Sequence, residues 1–280
     1  YRAHQKEEIP SPRMRKGRKV KKSPERIAEN MQTESIHIHK IPAVVFGKKS
    51  ERVYLYIHGQ GGRKEEAETF ARVACPRGWQ ILSMDLPEHG ERREEKNSFY
   101  PWYIVPELLS VMEYVKSRWT EIGLFANSIG AWFSLLSFSE ESLKQSLFVS
   151  PVLDMSKLIA DRMRLFGVSE ERLAAERVIP VPFGQALSRE YKEYAEKNKI
   201  VRWECPTEIL YAGKDEISDR GTVEAFARKF HCGLTVWDEG EHWFHTRRQL
   251  KVLSEWAEKR IKGEKRQADG KFPKENEGEE

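Results

Sequence analysis

Residues 122–134 read IGLFANSIGAWFS. A short apolar run, Leu124 and Phe125, drives into Asn127-Ser128-Ile129-Gly130 and continues as an apolar, small-residue segment. That pattern predicts a strand, a tight turn and a helix, with Ser128 at the apex. At such a reversal the apex residue takes a strained backbone conformation and its hydroxyl stands clear of the sheet. The N–H of the next residue then lies at a helix N-terminus, where partial positive charge favours an anion. A hydroxyl so placed is a candidate nucleophile. The pattern for this turn is G-x-S-x-G, and here Ala126 holds the first glycine position, one methyl larger where strand and helix backbones pass closely. Alone, a Ser-Ile-Gly turn is common in ordinary loops, so its weight depends on what accompanies it.

Three further segments supply that company. RVYLYIHGQGG, residues 52–62, is an apolar strand ending in a glycine-rich turn. Its backbone can fold back over the sheet, so the Gln60 N–H is the expected second donor of an oxyanion hole, with the N–H of Ile129 as the first. QILSMDLPEHGE, residues 80–91, is a strand followed by a turn rich in Asp, Pro, His and Gly. His89 in that turn, and His58 in the preceding one, are read as structural. The third is a pair of strands near the C-terminus. TEILY (207–211) is closed by Ala212-Gly213-Lys214-Asp215, and 234–237 is closed by Asp238-Glu239-Gly240-Glu241-His242. The chain order is therefore Ser128, Asp215, His242: nucleophile, acid, histidine.

Through YIHGQGG, DLPEHGER, ANSIGA, LYAGKDEISDR and GEHWFH, over roughly residues 35–260, the chain resembles the α/β-hydrolase superfamily of serine hydrolases, in particular its small bacterial members. The resemblance implies an α/β fold, a mainly parallel β-sheet flanked by helices, with a helical cap inserted over the serine. It implies a Ser128–His242–Asp215 triad, an acyl substrate of small-molecule size and an acyl-enzyme intermediate. The chemistry needs all three residue types. A serine hydroxyl is a poor nucleophile at neutral pH, so an imidazole must take its proton as oxygen attacks carbon, and a carboxylate must fix the ring tautomer and stabilise the imidazolium. His245 competes with His242 for the base, and Asp154, Glu216 and Asp219 compete with Asp215 for the acid. Asp154 follows the strand at 146–149, where some relatives carry theirs. The same triad serves thioesters, amides and peptides. A catalytically silent copy used for binding, and a lyase or cofactor-free oxygenase on the same scaffold, are the readings from other classes.

Composition agrees with a globular enzyme: 280 residues, of which 39% are hydrophobic. Residues 1–30 carry ten Lys or Arg against four Glu, a local charge of +6 in a chain whose total is +4, so the basic character belongs to that arm. RMRKGRKVKK (13–22) is the one stretch suited to phosphate backbones. The arm is read as solvated, disordered chain in preference to a nucleic-acid surface, with Met31 as a candidate functional start. Residues 262–280 are read as a disordered polar tail. No run is long and apolar enough for a membrane span or the core of a secretory signal, which leads to the expectation of a cytoplasmic protein. Cys75, Cys205 and Cys232 are scattered, odd in number and without metal spacing, and are read as free buried thiols. Neither a cofactor nor a metal site is expected, and the oligomeric state is unreadable.

Strands are predicted at 35–39, 42–46, 52–57, 80–84, 121–126, 146–149, 206–211 and 233–237, and helices at 65–75, 105–118, 131–139, 223–230 and 246–262. The core is thus expected over 31–152 and 204–261. The cap insertion, 153–203, has helical patterns at 155–165, 169–177 and 188–199, broken by IPVPFG at 179–184. Met163, Leu165, Phe166 and Phe183 are its candidate pocket residues, FYPWY (99–103) is a second candidate wall, and Trp132 and Trp243 are expected to pack.

Overall fold

The computed structural model describes residues 31–182 and 184–261. The expectations for the basic arm, for the polar tail and for Phe183 therefore lie outside the described residues.

Eight strands form the central sheet: β1 (Thr33–Ile38), β2 (Ile41–Phe46), β3 (Arg52–Ile57), β4 (Gln80–Met84), β5 (Glu121–Asn127), β6 (Gln145–Val149), β9 (Thr207–Ala212) and β10 (Gly233–Trp237). Their spatial order is β1-β2-β4-β3-β5-β6-β9-β10. β1 and β2 are antiparallel to each other, and β2 is antiparallel to β4; every later pairing is parallel. This is a parallel sheet with an antiparallel edge, covered by helices on both faces, and its inner strands are correspondingly apolar on both sides. Residues of β2, β4 and β6 are buried throughout.

Alternation along β3 divides the covering. Val53, Leu55 and Ile57 face a core built with α2 (Pro101–Lys116), α3 (Ile129–Ser137) and α7 (Arg220–Lys229), whereas Tyr54 and Tyr56 face a second core made with α1 (Ala67–Ala74) and α8 (Arg247–Arg260). Between β6 and β9 lie α4 (Met155–Leu165), α5 (Glu170–Glu176), a short hairpin of β7 (Val178–Ile179) with β8 (Leu187–Ser188), and α6 (Arg189–Lys197). Met155, Ile159, Met163, Leu173, Leu187 and Tyr191 of this segment join the same core as α3, and Tyr191 packs 5.8 Å from Trp132.

The strands fall within one or two residues of the expected positions, and helix starts differ where capping decides them. α2 begins at Pro101, four residues before the expected start, because proline fits the first helical turn, where its missing N–H leaves nothing unsatisfied. FYPWY is thus the entry to a helix. α8 begins behind a reciprocal cap in which Thr246 and Gln249 exchange side-chain and backbone hydrogen bonds. Cys75, Cys205 and Cys232 form no disulfide among the described residues, and they are only half-buried, where full burial was expected. Among the described residues no helix is long and apolar enough to cross a membrane.

Candidate active site

The sheet order reverses at β3, which lies between β4 and β5, and the loops leaving the carboxyl ends of β3 and β5 open a crevice there. Ser128 sits at that crevice, between β5 and α3, with φ 50° and ψ −124°. A non-glycine residue held at positive φ stores roughly 1–3 kcal/mol of strain, which persists only where the surroundings over-determine it. They do so here: the Ser128 N–H donates to Val149 O at 3.1 Å, and its carbonyl accepts from the N–H groups of Ala131 and Val152 at 3.1 and 3.0 Å. The turn is tight because two glycines let it be so. A Cβ on Gly130 would stand 2.6 Å from His58 O and 2.7 Å from Ile57 O, and one on Gly59 would stand 3.1 Å from the Ser128 Cβ. Ala126 is fully buried in register with Ile57 and Phe148, and its methyl is accommodated within the sheet. Ala126→Gly is therefore expected to leave the turn intact and to lower stability by about 0.5–1 kcal/mol through backbone entropy, read as a small drop in the urea midpoint.

The hydroxyl of Ser128 lies 2.7 Å from His242 Nε2, and His242 Nδ1 lies 2.9 and 2.8 Å from the two carboxylate oxygens of Asp215. Facing a carboxylate, Nδ1 must carry the ring proton, so Nε2 is left as the acceptor for the serine O–H. The Asp215 side chain is wholly buried, and its Oδ1 also accepts the N–H groups of Ile217 and Ser218 at 2.8 and 2.9 Å. Two strand ends bring acid and imidazole together. The Gly213 N–H donates to Trp237 O and the Lys214 N–H to Gly240 O, both at 2.8 Å, and a Cβ on Gly213 would meet Asp238 Cα at 2.5 Å. From the other side, Gln249 holds the histidine loop: its Oε1 accepts from the His245 N–H at 2.9 Å and its Nε2 donates to Glu241 at 3.1 Å.

The competing residues go elsewhere. Asp154 is exposed and caps α4, its Oδ1 accepting from the Lys157 N–H at 2.9 Å. Asp219 caps α7 and pairs with Lys157 at 2.8 Å, and Glu216 is exposed. His245 is exposed, stacked on Trp243 with centroids 4.5 Å apart.

The turn carrying Gln60 is fixed from below. Gly62 N–H donates to Gly59 O at 3.1 Å, and Gly61 sits at φ 78° with its N–H on His89 Nε2 at 2.8 Å. His89 Nδ1 faces Pro87 O at 2.8 Å. His58, fully buried, accepts the Leu86 N–H on Nε2 at 3.0 Å, and burial lowers its pKa to about 4, so its ring is neutral. The Gln60 N–H has no protein acceptor among the described residues. That of Ile129, first residue of α3, has none within its own helix.

One buried network escaped the sequence reading. Lys64 and Asp85 are both buried; the Lys64 N–H donates to Asp85 Oδ1 at 2.8 Å and its ammonium to Oδ2 at 2.9 Å, with Glu91 and Glu65 also on the ammonium at 2.6 and 2.9 Å. The Glu91 N–H completes the Asp85 carboxylate at 3.0 Å. Burial works to raise the Asp85 pKa, but the N–H groups of Glu91 and Lys64 and the Lys64 ammonium outweigh it, and the net direction is down. A carboxyl depressed in the folded state contributes stability above its unfolded pKa of about 4 and loses it as pH falls through the folded value. Lys64→Met strands the carboxylate and is expected to cost roughly 3–5 kcal/mol by urea unfolding at pH 7. The acid-induced loss of stability below about pH 4 should be shallower in the variant than in wild type.

A cavity of about 460 Å³ opens beside Ser128. It runs toward α1 and α8, between the Gln60 turn, Phe70, Phe244 and Leu253. Of the residues expected to line the pocket, Met163, Leu165 and Phe166 do not border this cavity. Met163 is packed in the α3-side core, Phe166 packs against that core, and Leu165 is 67% exposed. Helical periodicity identified an apolar face but not which surface it covers. Trp132 packs as expected, whereas Trp243 is 67% exposed and lines the cavity. Gln185, in the loop between β7 and β8, donates to Phe99 O at 3.1 Å and borders a neighbouring hollow with Gln60 and His89.

No protein-family model and no curated protein sequence matches the chain. Solved structures do. A structure of Est1E from Butyrivibrio proteoclasticus with ferulic acid bound superposes with a TM-score of 0.64 at 19% identity, covering 81% of this chain and 96% of that one. Alpha/beta hydrolase domain-containing protein 10 from mouse gives 0.66 at 12% identity over 81% and 97%. An esterase from Pyrococcus furiosus gives 0.57 at 15% identity over 89% and 94%.

Proposed function

Starting from the α/β-hydrolase fold that these likenesses and the strand order establish, we propose that the chain is a serine hydrolase cleaving a carboxylic ester without a cofactor. The observation that carries this reading is the unbroken line of hydrogen bonds from Ser128 Oγ to His242 Nε2 at 2.7 Å and from His242 Nδ1 to Asp215 at 2.8 Å. In this account His242 takes the serine proton as Oγ attacks the acyl carbon, and Asp215 holds the ring and stabilises the imidazolium. The N–H groups of Gln60 and Ile129 receive the oxyanion. His242 then gives its proton to the departing alkoxide, and the same base activates the water that hydrolyses the acyl-enzyme. Support also comes from the neighbours of similar fold, among them an esterase from Pyrococcus furiosus.

The test is a series of p-nitrophenyl esters of increasing acyl length, followed by nitrophenolate release. Turnover of short to medium chains is expected, with an initial burst where deacylation is slower than acylation. Absence of turnover across the series would remove the ester assignment.

A further inference from the structure

The cavity beside Ser128 is walled by Tyr56, Phe70, Phe125 and Phe244, and it also contains two acceptors with no partner. Glu66, at the start of α1, makes no ion pair and accepts no hydrogen bond among the described residues. The nearest arginine in sequence, Arg63, is 67% exposed and turned to Glu65 at 3.8 Å. The Glu66 carboxylate reaches the turn that carries Gln60, where a Cβ on Gly62 would be 2.9 Å from its Oε2, and it lines the same cavity as Ser128. Burial raises its pKa, Arg63 opposing. The second acceptor is Asn127 Oδ1, next to the serine in sequence. It is buried and unpartnered, while Nδ2 of the same side chain donates to the Tyr56 hydroxyl at 2.7 Å.

Building on the hydrolase reading, we propose that this cavity receives a substrate group ending in a positively charged amine, bound by Glu66 and Asn127. A carboxylate and an amide oxygen in an aromatic-walled space favour a donor-rich cation. An ammonium brings one or more N–H donors and no acceptor, and offsets the desolvation of the carboxylate. A plain alkyl group would leave both acceptors without a donor from the substrate. Opening 460 Å³ beside the serine, the cavity suits a short chain with a compact head.

The proposal is tested with two pairs of esters that exchange a dimethylammonium head for an isopropyl group of the same shape. They are 3-(dimethylamino)propyl acetate against 4-methylpentyl acetate, and ethyl 4-(dimethylamino)butanoate against ethyl 5-methylhexanoate. At pH 7 the charged member of at least one pair should be preferred in kcat/KM by about tenfold or more, and Glu66→Gln should bring that ratio to about one. Which pair responds tells whether the alcohol or the acyl side enters the cavity. A binding arm needs no turnover: butylammonium chloride should raise the Tm of wild type above equimolar sodium chloride, and 1-butanol should not. Preference for the isopropyl member in both pairs, or a ratio untouched by Glu66→Gln, overturns the proposal. So does equal response to butylammonium and butanol. Should Glu66→Gln lower only thermal stability, the carboxylate serves the start of α1 and not a ligand. Failure of all four esters to turn over would count against the hydrolase reading, and the binding arm would still decide the cavity's preference.

Discussion

Ser128→Ala is expected to lower kcat/KM for ester hydrolysis by roughly 10⁴- to 10⁶-fold, and His242→Ala by a similar factor, the two losses failing to add in the double variant. In the proposed mechanism the two groups act as one unit. Without the hydroxyl the imidazole has no proton to take, and without the imidazole the hydroxyl stays a weak nucleophile at neutral pH. What survives should be the oxyanion contribution of the Gln60 and Ile129 N–H groups acting on direct attack by water. Among the described residues the hydroxyl's hydrogen-bond partner is His242 Nε2, at 2.7 Å, so its removal should leave the melting temperature close to that of wild type. That separates loss of chemistry from loss of fold.

Asp215→Asn is expected to reduce kcat/KM by about 10⁴-fold while preserving most of the geometry. An amide in place of the carboxylate offers an N–H toward His242, which favours the wrong tautomer and removes the charge that stabilises the imidazolium. The substitution is informative because Asp215 does two things. Its Oδ1 also holds the N–H groups of Ile217 and Ser218, and an asparagine oxygen can still accept those bonds. Asp154→Asn is the matched control. That residue is exposed at the start of α4, where asparagine caps as well as aspartate does, so activity should not change. A large loss at Asp154 with little at Asp215 would reverse the assignment of the acid.

The sequence exposes the sheet well because its inner strands are apolar on both faces and are closed by glycine-rich turns, as in RVYLYIHGQGG and QILSMDLPEHGE. Ser128, Asp215 and His242 could be nominated because each lies in the turn that follows a strand, and strand ends share one edge of a parallel sheet. Features made by distant contacts left no local trace. Lys64 reads as a surface charge, and only Asp85 and Glu91, 21 and 27 residues onward, explain its burial. Glu66 and Asn127 look like ordinary polar residues until the cavity between α1, α8 and the Gln60 turn brings them to one space. The β7–β8 hairpin is two residues per strand, too short for any periodicity to register. The cap was expected to shape the pocket, yet Met155, Ile159, Met163 and Tyr191 fill the core beside α3, because an amphipathic helix advertises burial without naming its partner.

The central claim is that Ser128 is an activated nucleophile, and covalent capture tests it most directly. Incubation with a fluorophosphonate, followed by intact-mass and peptide mass analysis, should give one phosphonyl adduct on Ser128 of the wild-type protein, none on Ser128→Ala, and strongly slowed labelling of His242→Ala. An unmodified Ser128 after full exposure, or an adduct of equal extent in the Ser128→Ala protein, would contradict the account.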